Sequence, residues 1–272
     1  MQGKTAMRYD MLPLLLILLT MGIARPATAC GPDTDCRIGD RHYRIAMPED
    51  TTDPVGAIVY AHGYRGTAAA VMRNRALRRS VSEMGLALIA LKSADEDWVI
   101  PHSPSHMDTD GAVEFAYVEA VIADAAQRFP IDTDRLMAAG FSAGGMLVWN
   151  LACTMPGRFA GFVAIAGTFW HGPPEGCAAP AASLVHIHGT SDRIVPLEGR
   201  PIRETRQANV FEVIDMYASF GGFGPDGTER VGALDCQKRR NPAGAILDLC
   251  LHPGGHAVQG RYLRFAWQRL TD

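Results

Sequence analysis

Short apolar runs alternate with longer amphipathic segments along most of the chain. Runs of this length predict buried strands, and apolar side chains at helical spacing predict helices. Strands are predicted at 41–47, 57–61, 86–91, 135–140, 161–166, 184–188 and 245–250. Helices are predicted at 68–84, 112–129, 142–154, 204–220 and 258–270. The alternation indicates an α/β fold, in which a mostly parallel, twisted sheet carries helices on both faces.

The first 29 residues follow a different pattern. Lys4 and Arg8 precede an almost wholly apolar run at 11–23, and Ala27-Thr28-Ala29 follows. A basic start, a short apolar core and a small-x-small ending are typical of a secretory signal peptide. The core is also shorter than the about 20 residues that span a bilayer. We therefore predict that 1–29 is a signal peptide and that 30–272 forms a single domain outside the cytoplasm, extracellular or periplasmic.

Lipidation of Cys30 is an alternative fate for the new amino terminus, and it would anchor the protein to a membrane. A lipoprotein signal usually has leucine three residues before the cysteine, where this chain has Ala27. Simple export without stable membrane association is therefore the favoured interpretation.

The charge distribution argues against a nucleic-acid partner. The 272 residues carry a formal net charge of −3, whereas phosphate binding requires a basic face. The longest basic run is Lys238-Arg239-Arg240, which we interpret as a solvated loop.

All six cysteines follow the predicted signal peptide. An even number of cysteines in an exported protein predicts disulfides rather than free thiols. We expect each cysteine to pair with its neighbour along the chain, because each pair flanks a segment rich in Gly, Pro, Asp or Asn. The predicted pairs are Cys30 with Cys36, Cys153 with Cys177, and Cys236 with Cys250. No Cys-x-x-Cys spacing occurs, which argues against the alternative of a zinc site, and no metal is expected.

The segment Gly140-Phe141-Ser142-Ala143-Gly144 joins a predicted strand to a predicted helix. A strand, a sharp turn with serine at its apex and a helix together form a nucleophile elbow. The backbones on either side of the serine come so close that a Cβ would clash, which explains the glycines two positions before and two after it. Ser142 is therefore the candidate nucleophile.

A serine hydroxyl needs a base, and the base needs an orienting carboxylate. Both should follow later strands, where loops meet at the carboxyl edge of the sheet. Asp192 follows the predicted strand 184–188, and His256 lies on a glycine-made bend after the strand 245–250. The weaker candidates lie within a helix, in irregular segments or too close to a strand end: Asp215, Asp226, Asp235 and His252.

Acyl transfer also needs backbone donors for the developing oxyanion. The N–H of Ala143, directly after the nucleophile, is one candidate. The other is the N–H of Tyr64, in the glycine-containing loop that begins with His62-Gly63 after the strand 57–61. An ordinary strand-ending turn is the alternative interpretation of His62-Gly63.

At this point the chain resembles the secreted α/β-hydrolase esterases grouped with polyhydroxybutyrate depolymerases and feruloyl or acetylxylan esterases. The resemblance covers essentially the whole chain after residue 29. The matching segments are His62-Gly63, Asp134-Arg135, Gly140 to Gly145, His188 to Asp192 with Val195-Pro196, and Gly254-Gly255-His256. It implies the α/β-hydrolase fold and ester hydrolysis through an acyl-enzyme, with Ser142, Asp192 and His256 as the triad and no cofactor.

The chain departs from this family pattern in three respects. Tyr64 stands where many members have cysteine, and Ala257-Val258 stands where many have tryptophan and proline. The separate substrate-binding module of many polymer-degrading members has no counterpart in this sequence. These departures leave the triad intact and weaken the case for a polymer substrate.

Several aromatic residues follow the predicted strands or flank the elbow and could line the substrate pocket, although packing is an equal alternative for each. They are Tyr64, Trp98, Phe141, Phe169 and Trp170. No run between Gly167 and Leu184 is long enough for a large helical lid, so an open site is expected. Together these features predict a secreted serine esterase acting on a small or oligomeric ester. The alternatives are a serine peptidase on the same fold and a non-catalytic binding module.

Overall fold

The computed structural model describes residues 2–3, 30–49, 51, 53–178 and 180–271. The predicted signal peptide therefore lies outside the described residues, except for positions 2 and 3. Within the described part of the chain, no helix is long and apolar enough to cross a membrane.

The described residues form a ten-stranded sheet, a separate two-stranded hairpin and six α-helices. The strands are β1 (Cys36–Ile38), β2 (Arg41–Ala46), β3 (Val55–Ala61), β4 (Ala87–Leu91), β5 (Ile131–Phe141), β6 (Gly161–Ile165), β7 (Leu184–Gly189), β8 (Arg200–Ile202), β9 (Thr205–Gln207), β10 (Gly224–Val231), β11 (Leu234–Arg240) and β12 (Ile246–His252). The helices are α1 (Ala68–Arg73), α2 (Arg75–Ser82), α3 (Ala112–Arg128), α4 (Ala143–Thr154), α5 (Val210–Gly221) and α6 (Gly260–Thr271), with a 3-10 turn at Pro156–Arg158.

The centre of the sheet is parallel, as the sequence predicted. The strand order is β1-β2-β4-β3-β5-β6-β7-β12-β11-β10. The six strands from β4 to β12 in this order pair in parallel, whereas β1, β2, β10 and β11 add antiparallel edges. Because parallel strands end at the same edge, the loops after β3, β4, β5, β6, β7 and β12 meet there.

Two hydrophobic cores lie on opposite faces of this sheet. Successive residues of β3 alternate between them, so that Val59 packs in one core and Ile58 in the other. This alternation follows from the two-residue period of a strand. Helices α3, α4 and α5 cover the first core, and α1, α2 and α6 cover the second. The predicted helices on both faces are thus present.

The predicted helix at 204–220 is wrong in its first part. Thr205 and Gln207 are buried and Arg206 is exposed, which is the alternation of a strand, and these residues form β9. The helix begins only at Val210, where the Asn209 side chain accepts hydrogen bonds from the N–H groups of Phe211 and Glu212. A cap of this kind defines a helix start more strongly than the apolar spacing before it.

The predicted helix at 68–84 is divided in two at Asn74. The backbone of Asn74 leaves the helical region, and its side chain caps α2 by accepting from the N–H of Leu77. The segment with Asp226 and Asp235, predicted to be irregular, is instead the β10–β11 hairpin. The basic run Lys238-Arg239-Arg240, predicted to be a loop, belongs to β11. All residues of β10 are exposed, so this strand has no apolar pattern that could reveal it.

The structure places the six cysteines in the three neighbouring pairs expected from the sequence. Cys236 and Cys250 are directly opposite each other on β11 and β12. This disulfide therefore joins the antiparallel edge of the sheet to the strand that precedes His256.

Candidate active site

Ser142 lies at a sharp turn between β5 and α4, where the sequence predicts a nucleophile elbow. Its φ of 58° and ψ of −121° are strained for a residue with a Cβ. A Cβ on Gly140 would meet the Gly144 carbonyl, and one on Gly144 would meet the Ala61 carbonyl. The glycines thus allow the close backbone approach that holds Ser142 in this conformation.

Asp192 and His256 come together across the loops after β7 and β12. His256 Nδ1 donates to Asp192 Oδ2 over 2.6 Å, although the two residues are 64 positions apart in sequence. The other carboxylate oxygen of Asp192 accepts from the N–H groups of Ile194 and Val195, at 2.8 and 2.9 Å. The Asp192 side chain is fully buried, whereas His256 is 16% exposed. The proton on Nδ1 leaves Nε2 of His256 as the basic nitrogen.

A buried series of hydrogen bonds connects the core to the loop of Asp192. Trp149 Nε1 donates to His186 Nδ1 at 3.2 Å, and His186 Nε2 lies 2.9 Å from His188 Nδ1. His188 Nε2 lies 2.7 Å from the Val195 carbonyl, which can only accept. Because the indole can only donate, each histidine must carry its proton on Nε2.

Both His186 and His188 are therefore neutral. Burial lowers the pKa of His186 well below its usual value, and burial is also the main cause of the lowered pKa of His188. His188 Nε2 also lies 3.6 Å from Asp192 Oδ2. The alternation of His186 and His188 on one strand predicts packed or hydrogen-bonded structural residues, but it does not predict Trp149 and Val195 as their partners.

The two predicted oxyanion donors lie on the wall of one cavity with Ser142. The N–H of Ala143 is at the first position of α4, where no intrahelical acceptor exists. Among the described residues, neither this N–H nor that of Tyr64 has an acceptor. Both groups are thus available to a ligand.

His62 shapes the loop that presents Tyr64. Its Nε2 accepts from the N–H of Ser93 at 3.2 Å, so its Nδ1 carries the proton and donates to the Gly63 carbonyl at 2.8 Å. Burial lowers the pKa of His62 to about 4, which keeps the ring neutral. Trp98 Nε1 donates to the His62 carbonyl at 2.8 Å. Both residues therefore hold the loop in place.

The cavity beside Ser142 has a volume of about 270 Å³. Of the five aromatic residues considered from the sequence, Tyr64 and Trp170 line it. Trp98 is fully buried in the core, and Phe169 packs on Trp149. Phe141 contacts the ring of His256, with 4.6 Å between the ring centroids.

The structure adds residues to the cavity wall that the sequence analysis did not predict. Asp97, Pro104 and Ser105 follow β4, Met146 lies on α4, and Ile194, Val195, Arg200, Ile202, Arg203 and Gln207 follow β7. The last group lies partly on the β8–β9 hairpin, of which the sequence analysis assigned only the part from residue 204 onward to a helix.

The weaker candidates for the acid and the base lie in other environments. His252 stacks on Tyr262, and its Nδ1 accepts from the N–H of Gly254. Asp215, Asp226 and Asp235 are exposed and pair with Arg239, Arg240 and Arg230 respectively. The described residues contain no cluster of His, Cys, Asp and Glu suited to a metal ion.

Comparison with known sequences shows that this chain is similar to esterases. A sequence model of the phospholipase/carboxylesterase family matches residues 112–213. The chain is 29% identical over 162 residues to a protein assigned as the esterase NocK of Nocardia uniformis subsp. tsuyamanensis, covering 58% of this chain and 47% of that protein. It is 26% identical over 196 residues to a protein assigned as feruloyl esterase C of Aspergillus terreus, covering 67% of each. The chain thus spans about half the length of the first relative.

Comparison with solved structures identifies the fold. The acetyl xylan esterase from Aspergillus awamori superposes with a TM-score of 0.64 at 15% identity, over 89% of this chain and 97% of that one. The S-formylglutathione hydrolase from Agrobacterium tumefaciens gives a TM-score of 0.58 at 16% identity, over 85% and 90%. The chain has the α/β-hydrolase fold, which confirms the prediction from the sequence.

Proposed function

We propose that this chain is a serine carboxylic ester hydrolase in which Ser142, His256 and Asp192 form the catalytic triad. The observation that carries the proposal is the 2.6 Å hydrogen bond between His256 and Asp192, in loops that meet at the sheet edge bearing Ser142. The match to the phospholipase/carboxylesterase model and the similarity to assigned esterases support the same chemistry.

The reaction proceeds through an acyl-enzyme. The Ser142 hydroxyl attacks the ester carbonyl carbon, and its proton passes to Nε2 of His256. The C–O bond to the alcohol then breaks, and His256 returns the proton to the leaving oxygen. Water, deprotonated by His256, attacks the acyl-enzyme and releases the acid and free Ser142. Asp192 keeps the proton of His256 on Nδ1 and stabilises the imidazolium that forms in each half-reaction.

The backbone N–H groups of Tyr64 and Ala143 stabilise the oxyanion of the tetrahedral intermediate. Their lack of an internal acceptor and their position on the cavity wall support this role. Donors that are fixed before the reaction stabilise developing charge without reorganisation. The hydrogen bonds of His62 to Gly63 and Ser93 hold the loop of Tyr64, and with it the Tyr64 N–H, in place.

The substrates that we propose are feruloyl-type, acetyl-type or short hydroxyalkanoate esters. Similarity to an assigned feruloyl esterase supports the first, and the family resemblance supports all three. We further propose export as a single domain after removal of 1–29, because three disulfides favour an oxidising compartment.

The direct test is hydrolysis of 4-nitrophenyl acetate, ethyl ferulate and aminoacyl 4-nitroanilides by wild type and variants. Ser142→Ala should lower kcat by about 10⁴-fold or more, because triad residues act as a unit. Asp192→Asn should lower it by about 10⁴-fold, through loss of the correct tautomer of His256. Asp215→Asn, at an exposed carboxylate on α5, is the matched control and should retain wild-type activity.

Each alternative has its own signature in this test. Faster cleavage of nitroanilides than of esters would make the protein a peptidase. Full esterase activity in Asp192→Asn would show that the triad is assigned wrongly. No cleavage of any compound by the wild-type protein would support a binding module on this fold.

A further inference from the structure

The cavity at Ser142 has groups of opposite charge on its two sides. The strand order β4-β3-β5-β6-β7 places Ser142, which follows β5, between the loop after β4 and the loop after β7. Asp97 lines the cavity from the first loop, and Arg200 and Arg203 line it from the second. Two guanidinium groups beside a nucleophile need an explanation, because cavities for neutral acyl groups are mostly apolar.

Arg200 is held in a defined position, with part of its guanidinium unused. Its Nε donates to the Ile194 carbonyl at 2.9 Å and to Gln207 Oε1 at 3.3 Å. In the part of the chain that the structure describes, no carboxylate lies within 4.0 Å of its nitrogens. The two terminal nitrogens are therefore free to bind an anion in the fork geometry that suits a carboxylate.

Arg203 lies at the tip of the two-residue turn between β8 and β9. Its φ of 52° is in the left-handed region, where glycine is favoured. Among the described residues, its side chain has no hydrogen bond, ion pair or ring contact. The guanidinium of Arg203 is therefore free to bind an anion.

Trp170 lies beside the hairpin that carries the two arginines. It lines the cavity, it is 7% exposed, and its indole Nε1 is buried without an acceptor among the described residues. Trp170 and Gln207 also form a β-bridge, which fixes the hairpin beside the loop after β6. The bridge keeps the hairpin, and with it Arg200 and Arg203, at the cavity.

Among the described residues, Asp97 forms no ion pair with either arginine, although it lines the same cavity. It follows β4, and strands β3, β5 and β6 separate β4 from β7 in the sheet. Its Oδ1 accepts from the N–H of Trp98 at 2.9 Å, and burial raises its pKa. In the described part of the chain, the two arginines on the β7 side of the cavity therefore have no carboxylate within 4.0 Å.

We propose that Arg200 and Arg203 form a carboxylate-binding subsite, so that, among esters of otherwise matched structure, those with a free carboxylate are hydrolysed faster than their neutral counterparts. This inference rests on the proposed ester hydrolysis at Ser142 and specifies its substrate class. Monoesters of dicarboxylic acids have a free carboxylate, and so do hydroxy acids that are acylated at their hydroxyl group. They differ in whether the charge is on the acyl group or on the leaving group.

The test compares two matched pairs of esters. For charge on the acyl group, the pair is 4-nitrophenyl hydrogen adipate and 4-nitrophenyl methyl adipate. For charge on the leaving group, it is 4-acetoxybenzoate and its methyl ester. The readout is the ratio of kcat/KM for the charged and the neutral member, because a general loss of activity or folding leaves that ratio unchanged.

The wild-type ratio should exceed that of the double variant Arg200→Gln/Arg203→Gln by about tenfold in at least one pair, as charge-assisted hydrogen bonds are lost. The excess should shrink in 0.5 M NaCl, which screens charges on a partly exposed surface. Arg206→Gln is the control, because Arg206 is exposed on β9 and lies outside the cavity. It should keep the wild-type ratio.

The pair that shows the effect identifies whether the bound carboxylate belongs to the acyl group or to the leaving group of the ester. Equal ratios in wild type and double variant for both pairs would overturn the subsite while leaving ester hydrolysis intact. Failure of the wild type to hydrolyse any of the four esters would instead overturn the proposed function, and this subsite with it.

Discussion

At the residue scale, the site depends on polar groups whose hydrogen bonds leave only one possible protonation pattern. Trp149 and the Val195 carbonyl, at the two ends of the buried histidine pair, determine where each proton lies. Val195 also donates its N–H to Asp192, so the same residue connects the two histidines to this carboxylate. A buried network with every group satisfied gives its members a unique geometry.

Replacement of His188 should therefore affect catalysis without affecting substrate binding. His188→Leu leaves the Val195 carbonyl and His186 Nε2 unpaired, at a cost of about 1–3 kcal/mol for each group. We expect kcat to fall roughly 10- to 100-fold through displacement of Asp192, with KM nearly unchanged. Steady-state kinetics on a neutral ester measures both constants.

His188→Gln separates positioning from simple loss of volume. A glutamine amide can still donate to the Val195 carbonyl, so this variant should recover part of the lost kcat. Equal losses in both variants would show that His188 only fills space.

The elbow glycines offer a second test at this scale. A Cβ on Gly144 would lie 2.7 Å from the His62 carbonyl and closer still to that of Ala61. Gly144→Ala should therefore lower the free energy of unfolding by roughly 2–3 kcal/mol, because neither backbone can move away. It should also lower kcat, since Ser142 and the loop of Tyr64 are forced apart.

Gly157→Ala is the matched control. A Cβ at Gly157 meets nothing within 4 Å, so its effect should stay within about 0.5 kcal/mol. Urea denaturation of both variants measures the difference. Similar values for the two would contradict the role assigned to Gly144.

At the scale of elements, β7 and β12 bring Asp192 and His256, the proposed acid and base, together. They pair in parallel, with His252 opposite Gly189, so Asp192 and His256 leave the sheet side by side. The hairpin of β10 and β11 extends the sheet beyond β12, and the Cys236–Cys250 disulfide fastens it there. The strand that precedes His256 is thus paired on both sides.

Removal of this disulfide should lower both stability and activity. It closes a loop of about 15 residues, which the chain-entropy model values at about 3 kcal/mol. Because both cysteines are buried, the variant is Cys236→Ala/Cys250→Ala. We expect a lower thermal midpoint and a lower kcat, as the end of β12 becomes less firmly placed.

Cys30→Ala/Cys36→Ala provides the comparison, because that disulfide lies at β1, on the opposite edge of the sheet. It should change kcat far less. Peptide mapping without reduction checks the pairs beforehand, and a peptide that joins Cys236 to Cys153 would refute this prediction.

At the scale of the whole molecule, the two cores bury several ionisable groups. Below about pH 6.5 an unfolded histidine takes up a proton, whereas His62 in the folded protein does so only near a pKa of about 4. In that interval the unfolded state binds more protons, so the free energy of unfolding falls as the pH falls. His186 and His188 act in the same direction.

We therefore expect the free energy of unfolding to keep its full value above about pH 6.5 and to fall between pH 6.5 and pH 4. His62 alone should account for about 3 kcal/mol of this decrease. Urea denaturation at a series of pH values measures this slope. His62→Gln should reduce it, with His171→Gln, at an exposed imidazole, as the control. An unchanged slope in His62→Gln would show that His62 does not cause the acid sensitivity.

The sequence by itself determined the features that depend on a few adjacent residues. The Gly140–Gly144 spacing, the apolar runs of the parallel strands and the cysteine neighbours all act locally, and the structure has each of them where predicted. The candidates Asp192 and His256 also followed from local position, as polar residues directly after buried strands. Their contact at 2.6 Å follows from the strand order.

Only the tertiary structure decided what surrounds Ser142. The β8–β9 hairpin has too few residues for a periodic pattern, and its contact with Trp170 brings Arg200 and Arg203 to the cavity. The fully exposed β10 is recognisable only by its pairing with β11. Periodicity reports which face of an element is buried, whereas the partner of that face is set by long-range packing, which no local pattern specifies.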